Sequence, residues 1–299
     1  MPDKNIMIVI VGPTASGKSE LAVKIAKKVN GEIISADSRQ IYKGLDIGSG
    51  KVEGKWRGGK FIYKGIPHYL IDEASPRVQY SVARFQKKAR AAIEDILKRD
   101  KTPIICGGTG HWVDAVVFSQ VLPTVKADAK LRAQLAQLSI EQMFAKLQNL
   151  DPARAKNIDS QNPRRLIRAL EIVMTTGKPV PKLQSTSAYT VKWIGLNPEM
   201  EILEKKIARR FKEWMRAGLL KEIKNLKKSG LSWKRIESFG LEYKFLAQHL
   251  QGKIDLEEAE KLSIISIRQY AKRQMTWWKR NGDINWTDTK AATLPQLLK

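Results

Sequence analysis

Fifteen residues near the start, IMIVIVGPTASGKSE at 6–20, restrict the fold of this chain more than any other stretch. Ile6 to Val11 is a short β-branched apolar run, the pattern of a strand buried in a parallel sheet. Gly12, Pro13, Thr14, Ala15, Ser16, Gly17, Lys18 and Ser19 then fit the spacing G-x-x-x-x-G-K-[ST]. From Glu20 the apolar residues Leu21, Ala22, Ile25, Ala26 and Val29 recur at helical spacing. A Gly-rich loop between a strand and a helix aims backbone N–H groups and the positive end of the helix at a phosphate. Lys18 would reach the terminal phosphate oxygens, and the Ser19 hydroxyl would bind Mg2+. The bland alternative is an ordinary Gly-rich turn. Nor does the loop say whether the phosphate is transferred, hydrolysed or lost as a leaving group.

Downstream, strand and helix patterns alternate, as in a parallel sheet. Gly31 to Ala36 reads as a second strand ending at Asp37, and Thr102 to Cys106 as another running into Gly107, Gly108, Thr109 and Gly110. Ligands of such sheets sit at the carboxyl ends of strands. That rule brings Asp37 and Thr109 toward the phosphate loop, although Asp37 could equally cap a helix and the glycines could form a tight turn. Lys43 to Pro67 reads as loop with a short hairpin, Tyr69 to Asp72 as a short strand or buried turn, and Ser81 to Arg99 as an amphipathic helix. Only helices are predicted from Ala127 to about Thr176, one of them starting at Asn162 and Pro163. Val191 to Leu196 returns to the sheet. The prediction is an α/β fold with a P-loop NTPase-like core, a parallel sheet and flanking helices over 1–118 and 191–299. An all-helical insertion occupies 119–190.

Charge is the second constraint. The 299 residues carry 54 Lys and Arg against 30 Asp and Glu, a net charge of +24. A small-molecule enzyme does not need that excess, whereas a nucleic acid partner does. A Lys-rich solvated surface is the competing explanation. Arg164, Arg165 and Arg168 give one insertion helix a basic face. The C-terminal helical segment 256–280 sets Tyr270, Trp277 and Trp278 among cations, where they could stack on bases; at that spacing aromatic residues more often form core. Gly230 and Gly240 are expected to break up the helical region from Glu199 onward. The single cysteine, Cys106, leaves no internal disulfide and suits a reducing cytoplasm. His68, His111 and His249 lack metal-ligand spacing. No secretion signal or membrane span is read, and nothing demands a dimer, so the expectation is a cytoplasmic monomer away from membranes.

Seven segments together resemble the tRNA dimethylallyltransferase, or tRNA isopentenyltransferase, family. They are GPTASGKS at 12–19, DSRQIYKGLDIGS at 37–49, GIPHYLID at 65–72, YSVARF at 80–85, GGTG at 107–110, QNPRRLIRALE at 161–171 and RQYAKRQMTWW at 268–278. They follow the family's order and span nearly the whole chain. The resemblance implies transfer of a dimethylallyl group from dimethylallyl diphosphate to N6 of the adenosine on the 3′ side of the tRNA anticodon, with Mg2+. The RNA would be held between the α/β core and the insertion. It implies Asp37 as general base, Lys18 and Arg210 as cations on the diphosphate, and Thr109 beside the transferred group or the RNA. It further implies RNA contacts at Asp37, Ser38, Arg39 and Gln40, at Arg132, at Gln161, Asn162, Pro163, Arg164 and Arg165, and at Glu237, Ser238, Phe239, Gly240, Leu241 and Glu242.

The chain also departs from that family's pattern. His111 and Trp112 stand where Leu-Tyr is usual, which could alter the prenyl pocket. Tyr69 replaces a His, Arg84 an acid, and Ser49 and Gly50 a Thr-Ala pair. Glu237, Leu241 and Glu242 replace basic or tyrosine positions. Three other functions fit part of the sequence. A P-loop kinase shares the loop but needs neither the Asp-Ser-x-Gln segment nor the charge. A prenyltransferase acting on free AMP or ADP does not need the basic insertion. A non-enzymatic RNA-binding NTPase would turn over ATP.

Overall fold

The computed structural model describes residues 6–123, 125–182 and 186–287, which form two compact units, one from the described residues of 6–117 and 187–287 and one from those of 118–186. The first unit opens with β1 (Ile6–Val11), α1 (Lys18–Lys28), β2 (Gly31–Ser35), β3 (Lys55–Arg57), β4 (Lys60–Tyr63) and β5 (Ile66–Tyr69). It continues through α2 (Val82–Lys98), β6 (Thr102–Cys106) and α3 (Gly110–Val117). The second unit holds α4 (Ala129–Leu135), α5 (Ile140–Leu150), α6 (Pro152–Ala155) and α7 (Pro163–Thr176). The chain then returns as β7 (Thr190–Leu196), α8 (Met200–Arg216), α9 (Leu219–Lys228), α10 (Trp233–Glu237), α11 (Leu241–Leu250), α12 (Leu256–Trp278) and β8 (Asn285–Thr287).

Among the described residues the strands form one sheet in the order β3-β4-β5-β2-β6-β1-β7-β8, and β4 alone runs opposite to the other strands. Both faces of its centre are covered. Ile8, Ile10, Ile33, Ile104, Cys106 and Ile194 pack with Ala22, Val23, Ile25 and Ala26 of α1. The alternate residues Met7, Val9, Ile34 and Ile105 point the other way and are equally buried. This explains the unbroken apolar runs, since a strand buried on both faces has no polar side to display. The carboxyl ends of β2, β6 and β1 are neighbours, so Asp37, Gly107 and Gly12 leave the sheet side by side.

Local chemistry sets the element boundaries. Ser81 caps α2 by accepting from the Arg84 N–H at 3.2 Å. Gly17, at φ 92°, starts α1 at Lys18, two residues before the apolar spacing begins. The helical region after Glu199 first breaks at Gly218, φ 99°, between α8 and α9, upstream of the expected glycines; Gly230 and Gly240 mark the next two breaks. Tyr69 closes β5, and Leu70 and Asp72 take positive φ, so 69–72 is a strand end followed by a buried turn. In the helical unit, Asn162 caps α7 with Pro163 as its first residue, and Leu135, Met143, Leu147, Leu166 and Leu170 form a core of their own.

Candidate active site

The loop between β1 and α1 is shaped by close contacts. Gly12 has φ 141°, and a Cβ there would lie 2.7 Å from the Leu196 carbonyl oxygen. Ala15 takes φ 64°, a left-handed conformation that costs a non-glycine residue about 1–3 kcal/mol. The Ser16 hydroxyl is buried and finds no hydrogen-bond partner in the protein. Lys18 Nζ turns back onto the Pro13 carbonyl at 2.6 Å. Burial lowers Lys18 to about 8, and Arg210 adds to the effect. Arg210, from α8, donates to the Thr14 hydroxyl at 2.6 Å and lies over the Trp214 ring, 4.5 Å from its centroid. Burial lowers it to about 10. Two desolvated cations beside a loop in a constrained backbone conformation suit a multiply charged phosphate.

Asp37 faces this loop across a cavity of about 410 Å³. Its Oδ1 accepts from the N–H of Arg39 at 2.9 Å and, more loosely, of Gln40 at 3.4 Å, which folds 37–40 into a turn. The other carboxylate oxygen is not used by that turn. Thr109 braces the segment from β6: its hydroxyl accepts from the Ser38 N–H at 3.1 Å, and its own N–H donates to Ala36 O at 3.2 Å. Gln40 donates to the carbonyls of Ser49 and Gly50 at 3.4 and 3.2 Å and so ties in the next loop. Arg39 also lines the cavity and pairs with Glu242 of α11, whose carboxylate is fully buried. Burial alone would lower the Arg39 pKa, but Glu242 and Asp37 reverse this and raise it. Burial raises the Glu242 carboxyl against the pull of Arg39.

A family model described as IPP transferase matches residues 40–281, and one described as isopentenyl transferase matches residues 5–63. The chain belongs to the IPP transferase family. The tRNA dimethylallyltransferase of Thermoanaerobacter sp. (strain X514) is 40% identical over 291 residues, covering 94% of this chain and 90% of the relative. That of Carboxydothermus hydrogenoformans is 40% identical over 300 residues, 97% and 94% of the two chains. Among solved structures, the tRNA isopentenylpyrophosphate transferase of Bacillus halodurans superposes with TM-score 0.71 at 35% identity, covering 99% of this chain and 93% of that one. A eukaryotic dimethylallyltransferase acting on tRNA gives TM-score 0.79 at 28% identity, covering 95% and 74%.

The other residues expected to touch RNA in this IPP transferase fall into two groups. In the helical unit, Gln161, Arg164 and Arg165 are exposed, with Arg165 3.6 Å from Asp159. Asn162 and Pro163 build the helix start. Arg132 is half-buried and already committed, donating through Nε and a terminal nitrogen to Glu171, both at 2.8 Å. Glu171 also accepts from Arg168 and from the Asp128 N–H, so this arginine braces α4 against α7. At 237–242, Glu237 and Leu241 are half-buried, Ser238 is exposed and Gly240 makes the turn. Phe239 and Glu242 are buried. Phe239 packs against Tyr42 and Tyr243, and Glu242 holds Arg39. The α12 aromatics also turn inward. Trp278 is core, Trp277 donates to Asp114 at 3.0 Å, and Tyr270 lines the cavity within hydrogen-bonding reach of Thr109.

Several residues that shape the site carried no signal of their own. Glu222 on α9 accepts from three consecutive backbone N–H groups, Asp46, Ile47 and Gly48, and from the Tyr243 hydroxyl. Gln274 on α12 reaches the phosphate loop. Only the RQYAKRQ segment around Gln274 could have marked it. Cys106 lines the cavity floor, where burial pushes its thiol up to about 11 and leaves it unreactive. No group of three or more His, Cys, Asp and Glu side chains suited to a metal occurs among the described residues. That is compatible with Mg2+, which keeps several waters and is held mainly by substrate phosphates with one or two protein oxygens. Ser19, at the cavity wall, carries a hydroxyl that fits that role.

Proposed function

We propose that this IPP transferase moves the dimethylallyl group of dimethylallyl diphosphate onto N6 of the adenosine 3′-adjacent to the anticodon of tRNA, releasing diphosphate. The observation that carries the proposal is that one cavity holds a phosphate loop with two desolvated cations on one side and the Asp37 carboxylate on the other. That is the charge pattern of the reaction. As the allylic C–O bond breaks, its electron pair stays with the diphosphate, where the loop N–H groups, Lys18 and Arg210 stabilise the growing negative charge. As the N6–C bond forms, the amine proton passes to Asp37. The turn uses one Asp37 oxygen, so the other is available for this proton. Mg2+, held by Ser19 and the substrate, would supply further neutralisation of the diphosphate.

An adenosine in a stacked loop must leave its stack to enter such a cavity. Ser38, Arg39 and Gln40 would hold its edges, and Arg164 and Arg165 would contact phosphates of the anticodon stem-loop. The net charge of +24 supports an RNA substrate over free AMP. The single buried thiol suits a cytoplasmic enzyme, and we take it to act as a monomer.

The deciding experiment incubates the protein with unmodified tRNA, Mg2+ and dimethylallyl diphosphate, then weighs the nucleosides. An adenosine heavier by one dimethylallyl group, absent without Mg2+, is expected. Product on AMP alone, or phosphate moving from ATP, would overturn the proposal.

A further inference from the structure

Gln274 lies on α12 and is 5% exposed. Both ends of its amide are used. Oε1 accepts from the Thr14 N–H at 2.8 Å, and Nε2 donates to the Gly108 carbonyl at 2.9 Å. These partners fix the amide's orientation, because a backbone N–H needs the oxygen and a carbonyl needs the nitrogen. The same partners define the chemistry required at this position. A carboxylate accepts but does not donate, an ammonium donates but does not accept, and an apolar side chain does neither. The approach is close enough that a Cβ on Gly108 would lie 2.0 Å from Nε2.

The two loops joined in this way are the two halves of the cavity. Thr14 belongs to the phosphate loop and receives Arg210 on its hydroxyl. Gly108 precedes Thr109, which holds the Ser38 N–H beside Asp37. One helical turn before Gln274, Tyr270 reaches Thr109 from the same helix. We infer that Gln274 is a positioning residue of the transfer reaction: by holding Thr14 and Gly108 at a fixed separation, it sets the distance between the leaving diphosphate and the adenine amine. Gln274 lines the cavity, but both ends of its amide are spent on these two backbone groups, so it acts through them. The inference rests on the reaction proposed above.

Two variants separate its two arms. Gln274→Glu keeps an oxygen for the Thr14 N–H but turns a second oxygen on the Gly108 carbonyl. Gln274→Met keeps the length and loses both bonds. The measurements are kcat, KM for dimethylallyl diphosphate, and the Kd of inorganic pyrophosphate with Mg2+. For Gln274→Glu, kcat should fall about tenfold or more, as expected for an ångström-scale displacement of reacting groups. Its donor KM and pyrophosphate Kd should stay within about threefold of wild type, because the Thr14 arm survives. For Gln274→Met, both kcat and pyrophosphate affinity should fall by about tenfold or more. A kcat within about threefold of wild type in Gln274→Glu, or equal losses of every parameter in both variants, would overturn the inference. If Gln274→Met does not fold, the split between kcat and KM in Gln274→Glu decides alone. If the wild type makes no prenylated tRNA, the proposed reaction falls, and the pyrophosphate affinities of the two variants still decide the Thr14 arm.

Discussion

The buried pair of Arg39 and Glu242 gives the sharpest test of how the acceptor side of the cavity is held. Glu242 is fully buried, its second oxygen has no partner, and the Arg39 side chain is 12% exposed. The two single removals should differ. Glu242→Leu strands a guanidinium that cannot lose its proton, and breaking a buried pair this way costs about 3–5 kcal/mol at any ordinary pH. Arg39→Met strands a carboxyl that can take up a proton. The titration part of the cost at pH 7 is then at most that of protonating a group whose unfolded pKa is about 4.3, roughly 1.36 × 2.7, or about 3.7 kcal/mol. Arg210 also attracts Glu242, so the real value lies below that bound. The sign follows from the raised folded pKa. With Arg39 present the folded Glu242 carboxyl already lies above its ordinary value, and removing Arg39 moves it higher, so the Arg39→Met penalty is smallest below the intact protein's folded pKa and grows with pH above it, by up to about 1.4 kcal/mol per pH unit, until the variant's folded pKa is reached. The double variant Arg39→Met/Glu242→Leu replaces the pair with apolar groups and should recover most of the stability. Urea unfolding of the four proteins at pH 5, 6, 7 and 8 measures all of this. Additive single losses, or an Arg39→Met penalty that is flat with pH, would refute the pairing as described. The recovered double variant should still show reduced turnover on tRNA, because it lacks the cation that faces the cavity beside Asp37.

Asp37→Asn keeps the oxygen that closes the 37–40 turn and removes the base, so kcat should drop about 10²–10⁴-fold with tRNA affinity nearly unchanged; unaltered turnover in a quench assay would count against proton transfer to Asp37. Arg164→Ala with Arg165→Ala should weaken tRNA binding and flatten the dependence of log Kd on log salt by up to about two phosphate contacts, read by filter binding between 50 and 200 mM salt. In the helical unit, burial would raise the Glu171 carboxyl, but Arg132, the Asp128 N–H and Arg168 hold it down at about 2. A depressed carboxylate stabilises above its unfolded pKa, so this contribution is present above about pH 4.3 and is lost toward about 2. It amounts to about 1–2 kcal/mol once the solvent around the two arginines, each 35% exposed, is allowed for. Glu171→Gln should remove that acid dependence from a circular-dichroism titration of the intact chain.

The parts of this enzyme that could be read in the sequence are those whose cause lies within a dozen residues. The β1 strand, the phosphate loop and α1 are contiguous, and their periodicities and glycines report local geometry directly. The start of α7 was legible for the same reason, since a cap and an N-terminal proline act within one turn. The cross-links of the site do not share that property. Gln274 is 260 residues from Thr14, and Glu222 is 174–176 residues from the loop it holds. Each is a polar residue on an amphipathic helix, and nothing in its own neighbourhood says that it points inward. The burial of Glu242 and Phe239 is illegible locally for the same reason: it is set against Arg39 and Tyr42, which the fold brings in from another part of the chain.

The GGTG segment shows the limit most clearly, because its glycines were noticed and their reason was not. Left-handed backbone is not what these glycines supply, since Gly107, Gly108 and Gly110 are not among the positive-φ glycines. What they share is crowding. A Cβ would lie 2.3 Å from the Ala36 carbonyl oxygen at Gly107, 2.0 Å from Gln274 at Gly108 and 2.2 Å from the Trp277 ring at Gly110. The three glycines therefore let β2, the phosphate-loop brace and the last helix close on the loop that carries Thr109. Sequence reports that a side chain is missing; only the fold reports what occupies its place. The two α12 residues that fill the space at Gly108 and Gly110, Gln274 and Trp277, both lie in the segment RQYAKRQMTWW. The spacing of GGTG and the pattern of α12 are thus two halves of one packing constraint, and substitutions on one side should be tolerated only with compensating change on the other.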